Sequence, residues 1–287
     1  MCRHLAYIGA ETTLAAVVSE PPHGLYEQSW APRLQRYGTV NADGFGIGWY
    51  PAPGSADPAP HPSGQAPPAD EPPADKPPAR YRRAVPIWAD GNLPDLTRVV
   101  RSTAVLAAVR DATAGTCQDE SAAAPFAHGR WLFSHNGAIP DWPALPDDLG
   151  EPVTAAEVAT LEARCDSVLL WLLLSRRLAA GEDPAHVLAD TALRVAAARP
   201  GSRLNLLLTD GRSITGVRHG DTLWYRTAAD GEPPGVLVAS EPDDRDGWRE
   251  APEHSLLTAT ATGVRTRPLT PPRDACPDAP GAALPPA

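Results

Sequence analysis

The sequence predicts an α+β protein in which layers of β-sheet are covered by helices. Strand-like stretches occupy both the beginning and the end of the chain, and two helical segments lie between them. The chain has 287 residues, a length that suits one large domain or two small ones. We predict a single domain over residues 2–268, because strand-like sequence continues on both sides of its one long proline-rich interruption.

The first half of the chain indicates several strands and one short helix. The strands are predicted at residues 2–9, 44–50, 81–88, 104–110 and 131–134, and the helix at "PDLTRVVRS", residues 94–102. Residues 51–80 are rich in proline and poor in apolar side chains, so they can neither pair in a sheet nor bury a core. We expect a disordered insertion there, at the tip of a hairpin.

Two helices are predicted in the middle of the chain. Thr154 followed by Glu157 is a capping-box pattern that opens a helical segment. Residues 166–180 form a strongly apolar helical stretch, and Gly181 stands where a C-terminal glycine is common. Residues 184–199 have the pattern of a second, amphipathic helix.

The last third of the chain returns to strands and hairpins. Turn dipeptides interrupt the strand-like residues 203–226 at Asp210-Gly211 and at Gly220-Asp221. Further strands are predicted in "GVLVASEP" and "HSLLTATATGV", and the Pro/Ala-rich residues 269–287 are expected to be a disordered tail.

Composition excludes several classes of function. The net charge is -10, and no basic stripe of the kind that nucleic acid requires is present. The longest apolar run, residues 168–174, is too short to cross a bilayer, so no membrane partner is expected. The four cysteines and eight histidines show no metal-ligand spacing, and we expect no metal and no cofactor. Without a secretion signal, free thiols in the cytoplasm are expected.

The chain begins with an unusual candidate for a nucleophile. Removal of Met1 would leave Cys2 with a thiol and a free α-amine on the same carbon. An α-amine has a pKa of about 7.7–8.0, so it can accept the thiol proton and generate the reactive thiolate. Cys165, beside a predicted helix start, is a weaker alternative nucleophile.

Three other motifs each have an ordinary interpretation when taken alone. Arg110 can be a strand-end charge, Asn136-Gly137 a turn, and Asp166 a helix cap. Taken together and in this order with Cys2, they resemble the class II glutamine amidotransferases. "NADGFGIGWY" at residues 41–50 and "VASEP" at residues 238–242 are also similar to signatures of that family.

This resemblance implies a four-layer αββα sandwich of the N-terminal-nucleophile hydrolase type. It implies that Cys2 attacks a γ-amide carbonyl and forms a γ-glutamyl thioester. The side-chain amide of Asn136 and the backbone N–H of Gly137 correspond to the family's oxyanion hole.

The resemblance also assigns the groups that bind the glutamyl end of a small-molecule substrate. Arg110 corresponds to the residue that binds the α-carboxylate, with a hydroxyl from Thr113, and Asp166 to the one that binds the α-ammonium. Further candidates for the site are Asn41, Asp43, Trp49, Trp88 and Glu241.

Four longer stretches resemble the branch of this family that serves ergothioneine biosynthesis, in which the domain stands alone and hydrolyses a γ-glutamyl amide. They are "MCRHLAYIGA", "PIWADGNLPDL", "RSTAVLAAVRDATAG" and "PFAHGRWLFSHNGAIPDW". Two alternatives stay open: a glutaminase subunit that feeds ammonia to a separate synthetase, and a non-catalytic binding protein with this fold. The oligomeric state is open as well.

Overall fold

The computed structural model describes residues 2–51, 77–112 and 116–270. Met1, Thr113 and residues 271–287 lie outside the described residues. So do residues 52–76, which make up most of the predicted insertion. The expectations about these positions therefore stay predictions.

Thirteen strands of the described chain form two antiparallel sheets. They are β1 Arg3–Thr13, β2 Phe45–Trp49, β3 Ala79–Arg83, β4 Arg101–Val109, β5 Phe126–His128, β6 Trp131–Ala138, β7 Arg203–Thr209, β8 Ile214–Arg218, β9 Trp224–Thr227, β10 Gly235–Ala239, β11 Trp248–Glu250, β12 Ser255–Thr260 and β13 Gly263–Pro268. One sheet has the order β11-β9-β10-β1-β4-β2-β3, and the other has the order β13-β12-β8-β7-β6-β5. The N-terminal strand thus lies at the centre of its sheet.

Helices cover the outer face of each sheet. They are α1 Leu14–Val18, α2 Leu25–Gln28, α3 Leu93–Val99, α4 Leu145–Asp148, α5 Ala155–Thr160, α6 Asp166–Ala179 and α7 Pro184–Ala198. Helices α1 to α3 share a hydrophobic cluster with the seven-stranded sheet, and α6 and α7 share another with the six-stranded sheet. A third cluster fills the space between the sheets. The predicted four-layer αββα sandwich is confirmed.

Strand alternation decides which side chains enter each layer. In β1, Leu5 packs in the outer cluster, whereas Ala6 packs between the sheets. In β6, Phe133 stacks on Trp171 of α6 with ring centroids 5.2 Å apart, whereas Leu132 lies between the sheets. The same alternation directs the side chain of Asn136 toward the space between the sheets.

The sequence placed several boundaries correctly. Thr154 and Glu157 form the predicted capping box, in which the Thr154 hydroxyl accepts from the Glu157 N–H and the Glu157 carboxylate accepts from the Thr154 N–H. Gly181 follows α6 with a φ of 82°, the left-handed conformation that glycine adopts at little cost.

Other boundaries were wrong. The strand predicted at residues 81–88 is β3, Ala79–Arg83, and a 3₁₀ turn at Ile87–Ala89 follows it, after Pro86. The strand predicted at residues 131–134 continues to Ala138, so Asn136-Gly137 lies inside β6 and forms no turn. Leu269, assigned to the disordered tail, donates its N–H to the His254 carbonyl at 2.8 Å.

Strand β3 forms one edge of the seven-stranded sheet, and its pairing with β2 ends at Trp49 and Ala79, on either side of the predicted insertion. Its sequence, "ARYRR", carries three arginines. Arg80 and Arg82 lie 3.3 Å and 2.7 Å from the Glu162 carboxylate, in the segment that precedes α6.

Candidate active site

A narrow cavity of about 40 Å³ lies where the start of β1, the ends of β4 and β6, and the N-terminus of α6 meet. Four of the predicted site residues line it: Cys2, Arg110, Gly137 and Asp166. They are far apart in sequence and come from both sheets and a helix. The fold therefore brings these four residues together, whereas Asn136, next to Gly137 in β6, is not among the lining residues.

Cys2 immediately precedes β1 and keeps part of its surface exposed. Burial of the thiol raises its pKa, while a hydrogen bond from the backbone of Asp111 and the positive charge of Arg110 lower it. The carboxylate of Asp166 raises the pKa of Cys2 further. Because burial dominates, the resting thiol is protonated at neutral pH and needs a base before it can attack.

The oxyanion-hole candidates lie at the end of β6, where Asn136 pairs with Asn205 and Gly137 with Leu204 of β7. A side chain at position 137 would collide with the Arg203 carbonyl, so the close approach of two strands requires glycine there. Asn136 is fully buried, and neither its Nδ2 nor its Oδ1 has a hydrogen-bond partner among the described residues. An unpaired buried amide is costly, and it provides a donor held ready for an incoming oxygen.

Arg110 follows β4 and is held there by its backbone, since its N–H donates to Gly44 and its carbonyl accepts from Asp43. Its Nη2 donates to the Thr116 hydroxyl at 3.1 Å and the Cys117 carbonyl at 2.6 Å. Its Nη1 is buried without a partner among the described residues. The guanidinium is therefore oriented and has a donor left for a carboxylate.

Asp43 supports this segment rather than lining the cavity. Its carboxylate accepts from the N–H of Ala112 at 2.7 Å, and this fixes the two residues that follow Arg110. The predicted candidate Asp43 is thus a positioning residue for the turn that carries the guanidinium.

Asp166 is the first residue of α6, and Cys165 stands at the N-cap position that the sequence suggested for Asp166. The carboxylate accepts from the N–H of Ile139 at 3.0 Å and of Ser167 at 2.7 Å. These bonds fix an anion at the cavity wall, where it can bind an ammonium group. Cys165 also lines the cavity, but burial raises the pKa of its thiol to about 11, which disfavours it as a nucleophile.

Two histidines near the cavity have other partners. His4 Nδ1 lies 3.0 Å from the Ser134 hydroxyl, and burial lowers the pKa of His4 to about 3, so the ring is neutral at pH 7. His135 Nδ1 lies 3.0 Å from the Ser167 hydroxyl, and its Nε2 donates to the Arg203 carbonyl. Both rings therefore have structural contacts, and neither is needed as the base that activates Cys2.

Two further candidates anchor residues 28–41 behind the site. Asn41 is buried, and its Nδ2 donates to the Gln28 carbonyl and to Gln35. Glu241 is buried and accepts from the backbone N–H groups of Arg33 and Leu34 at 2.7 Å and 2.9 Å. Neither residue lines the cavity.

Glu241 also holds two buried basic side chains. Its carboxylate lies 2.7 Å from His23 Nε2 and 3.5 Å from Nε of Arg3, the residue that follows the nucleophile. Glu241 therefore links the start of β1 to the segment that precedes β2.

The two tryptophan candidates do not reach the cavity lining. Trp49 packs against the outer cluster of the seven-stranded sheet. Trp88 is 39% exposed and contacts Trp30 edge to face, with ring centroids 5.6 Å apart.

Sequence reasoning did not identify Asp111 and Ser167 as parts of the site. Both line the cavity, and each directly follows a residue that was predicted. The backbone of Asp111 hydrogen-bonds to Cys2, and the backbone N–H of Ser167 donates to the Asp166 carboxylate. No residue-type pattern signals a backbone contact of this kind.

Within the described ranges, no group of three or more His, Cys, Asp or Glu side chains is arranged to hold a metal ion. Among the same residues, no helix has the length and apolar character needed to cross a bilayer.

A four-layer αββα sandwich with a cysteine at the start of a central strand is the architecture of N-terminal-nucleophile amide hydrolases. The family model described as glutamine amidotransferases class-II matches residues 13–232. The chain belongs to that family.

Two relatives and one solved structure are similar to this chain. The chain is 37% identical over 265 residues to a gamma-glutamyl-hercynylcysteine sulfoxide hydrolase of Mycobacterium tuberculosis, with 92% of this chain and 95% of the relative covered. A protein of the same name from Mycolicibacterium smegmatis is 36% identical, with 94% and 100% covered. A glutamine aminotransferase class-II domain protein from Silicibacter pomeroyi has the same fold, with a TM-score of 0.62, 24% identity, and 94% and 100% coverage.

Proposed function

We propose that this protein hydrolyses the γ-glutamyl amide bond of γ-glutamyl-hercynylcysteine sulfoxide and releases glutamate and hercynylcysteine sulfoxide in ergothioneine biosynthesis. The observation that carries this proposal is the similarity, over almost the whole of both chains, to hydrolases named for that substrate. The cavity supports it, because Arg110 and Asp166 offer opposite charges to the α-carboxylate and α-ammonium that every γ-glutamyl compound has.

In the proposed mechanism, the freed α-amine of Cys2 takes the thiol proton, directly or through a water molecule. The thiolate attacks the γ-carbonyl carbon, and the resulting oxyanion accepts hydrogen bonds from Asn136 Nδ2 and the Gly137 N–H. Collapse of this intermediate breaks the C–N bond, and the ammonium of Cys2 returns the proton to the leaving amine. Water then attacks the γ-glutamyl thioester, which releases glutamate and regenerates the thiol.

Cys2, Cys117 and Cys165 are all free thiols. This supports a reducing compartment, and we place the protein in the cytoplasm on that ground.

Family membership also favours a second candidate, a glutaminase that supplies ammonia to a separate synthetase, because Arg110 and Asp166 would bind glutamine equally well. The two functions are separated by kcat/KM for purified protein on glutamine and on γ-glutamyl-hercynylcysteine sulfoxide, with released glutamate as the readout. A preference for the sulfoxide is expected. A preference for glutamine would overturn the proposed substrate.

Intact-mass measurement of the same sample tests the nucleophile. An active preparation is expected to start at Cys2, since the mechanism needs its α-amine. Full activity in protein that retains Met1 would rule the mechanism out. Absence of turnover on both substrates in protein that starts at Cys2 would favour a non-catalytic binding protein instead.

A further inference from the structure

The segment between α2 and β2 exposes an unusual amount of apolar surface. Most of the large hydrophobic side chains that are exposed in the described ranges belong to residues 30–40 or contact them: Trp30, Leu34, Tyr37, Val40 and Trp88. Tyr37 is the most exposed of these, at 55%. A concentration of this kind at one place is typical of a binding surface.

Two adjacent residues of this segment contact residues on or next to the cavity lining. Gly38 has a φ of 75° and lies so close to the carboxylate of Asp111, a cavity-lining residue, that a side chain would collide with it. The Tyr37 ring lies under the Arg203 guanidinium, 4.3 Å from ring centroid to Cζ. The Arg203 carbonyl in turn touches the position of Gly137, the oxyanion-hole candidate.

The contacts of His135 indicate which end of the substrate faces the pair formed by Tyr37 and Arg203. One ring nitrogen contacts Ser167, the neighbour of the ammonium-binding candidate Asp166, and the other donates to the Arg203 carbonyl. The hydroxyl of Ser167, the residue next to Asp166, and the backbone carbonyl of Arg203 thus lie at the two nitrogens of the His135 ring. A substrate with its α-ammonium at Asp166 and its γ-carbonyl at Gly137 extends its leaving group toward Arg203 and Tyr37.

The Tyr37–Arg203 pair offers two kinds of contact. Arg203 Nε donates to the buried carboxylate of Asp221 at 3.1 Å, and no hydrogen bond from its Nη atoms to another described residue is present. Those nitrogens can bind a carboxylate. One face of the Tyr37 ring is covered by the guanidinium, and the exposed remainder can pack against a cation that has no hydrogen-bond donor.

We infer that Tyr37 and Arg203 form the leaving-group subsite and that Tyr37 is a specificity-determining residue for a betaine. This inference rests on the proposed function, whose leaving group carries a trimethylammonium and a carboxylate on one carbon atom. The Tyr37 ring and the Arg203 guanidinium lie 4.3 Å apart and so offer adjacent contacts to these two charged groups. The subsite takes no part in bond breaking. It contributes nothing to the binding of glutamine, because glutamine has only an amide nitrogen at that end.

The test compares wild type, Tyr37→Ala and Tyr37→Phe by kcat/KM on γ-glutamyl-hercynylcysteine sulfoxide and on glutamine. Tyr37→Ala should lower kcat/KM for the sulfoxide about three- to tenfold, mainly through KM, and leave the value for glutamine within about twofold. Tyr37→Phe keeps the ring and should retain most activity on both substrates. Because the side chain is largely exposed, the Ala variant should melt at the wild-type temperature.

In Tyr37→Ala, equal losses of kcat/KM on both substrates, or no loss on either, would leave the sulfoxide-to-glutamine ratio unchanged. Either result would overturn the subsite. These results are distinct from a failure of the proposed function, which would show in wild type as a preference for glutamine. Arg203→Met gives a second measurement, since loss of the guanidinium should also lower the sulfoxide-to-glutamine ratio. An unchanged ratio in that variant would remove the carboxylate contact from the subsite.

Discussion

Replacement of Asn136 by alanine should separate catalysis from stability. The side-chain amide is fully buried with two unpaired polar atoms, each of which destabilises the fold by about 1–3 kcal/mol. Removal of the amide relieves that destabilisation. The substitution also leaves a cavity, which costs about 1 kcal/mol for a side chain of this size. We therefore expect Asn136→Ala to unfold at the wild-type denaturant concentration or above it. Loss of the oxyanion donor should lower kcat by about 10²–10³.

A matched control lies directly opposite on the neighbouring strand. Asn205 pairs with Asn136 and is equally buried, but its amide donates to the Thr222 carbonyl and accepts from the His219 N–H. Asn205→Ala leaves two backbone groups unpaired, so it should lower the free energy of unfolding by about 2–4 kcal/mol and retain most activity.

The assays are steady-state kinetics and urea unfolding of both variants alongside wild type. Activity of Asn136→Ala within about fivefold of wild type would refute its role as an oxyanion donor. A large loss of stability in that variant would refute the conclusion that its amide is held unpaired in the resting enzyme.

Two further predictions concern two cysteines at the cavity and a buried imidazole. Cys2→Ala should abolish turnover without lowering the melting temperature, whereas Cys165→Ala should keep most activity because burial raises the pKa of its thiol to about 11; near-normal turnover by Cys2→Ala would move the nucleophile elsewhere. The folded-state pKa of His4 is about 3, below its ordinary 6.5, so the unfolded chain binds more protons between these values. The contribution of neutral His4 to the free energy of unfolding is complete above pH 6.5 and is lost as the pH falls toward 3. The loss between pH 7 and pH 5 is about 2 kcal/mol. Denaturant unfolding at both pH values should show this slope in wild type and a flatter one in His4→Gln; equal slopes would assign the effect to other groups.

Long periodic segments and ordered motifs were predictable from the sequence. The apolar helix α6, with Gly181 behind it, depends on local periodicity and capping, and both are visible in the sequence. Of the residues in the family order, Cys2, Arg110, Gly137 and Asp166 line one cavity, and Asn136 directly precedes Gly137 in β6.

The remaining features depend on tertiary contacts. Asn136-Gly137 has the composition of a turn but lies inside β6, because pairing with β7 overrides the local preference. Trp49 was a candidate for the site, yet alternation along β2 directs it into the outer cluster. The supporting contacts of Asp43 and Glu241 link segments that are far apart in sequence, and one sequence alone does not reveal them.

The arginines of β3 have a consequence for how this domain tolerates added sequence. An edge strand with unpaired backbone groups can recruit a second copy into an extended sheet, and charged side chains oppose such association. Arg80, Arg82 and Arg83 place three positive charges on this edge, and Glu162 fixes two of them in position. We therefore expect that sequence added at the tip of the β2–β3 hairpin leaves this edge protected against association with a second copy.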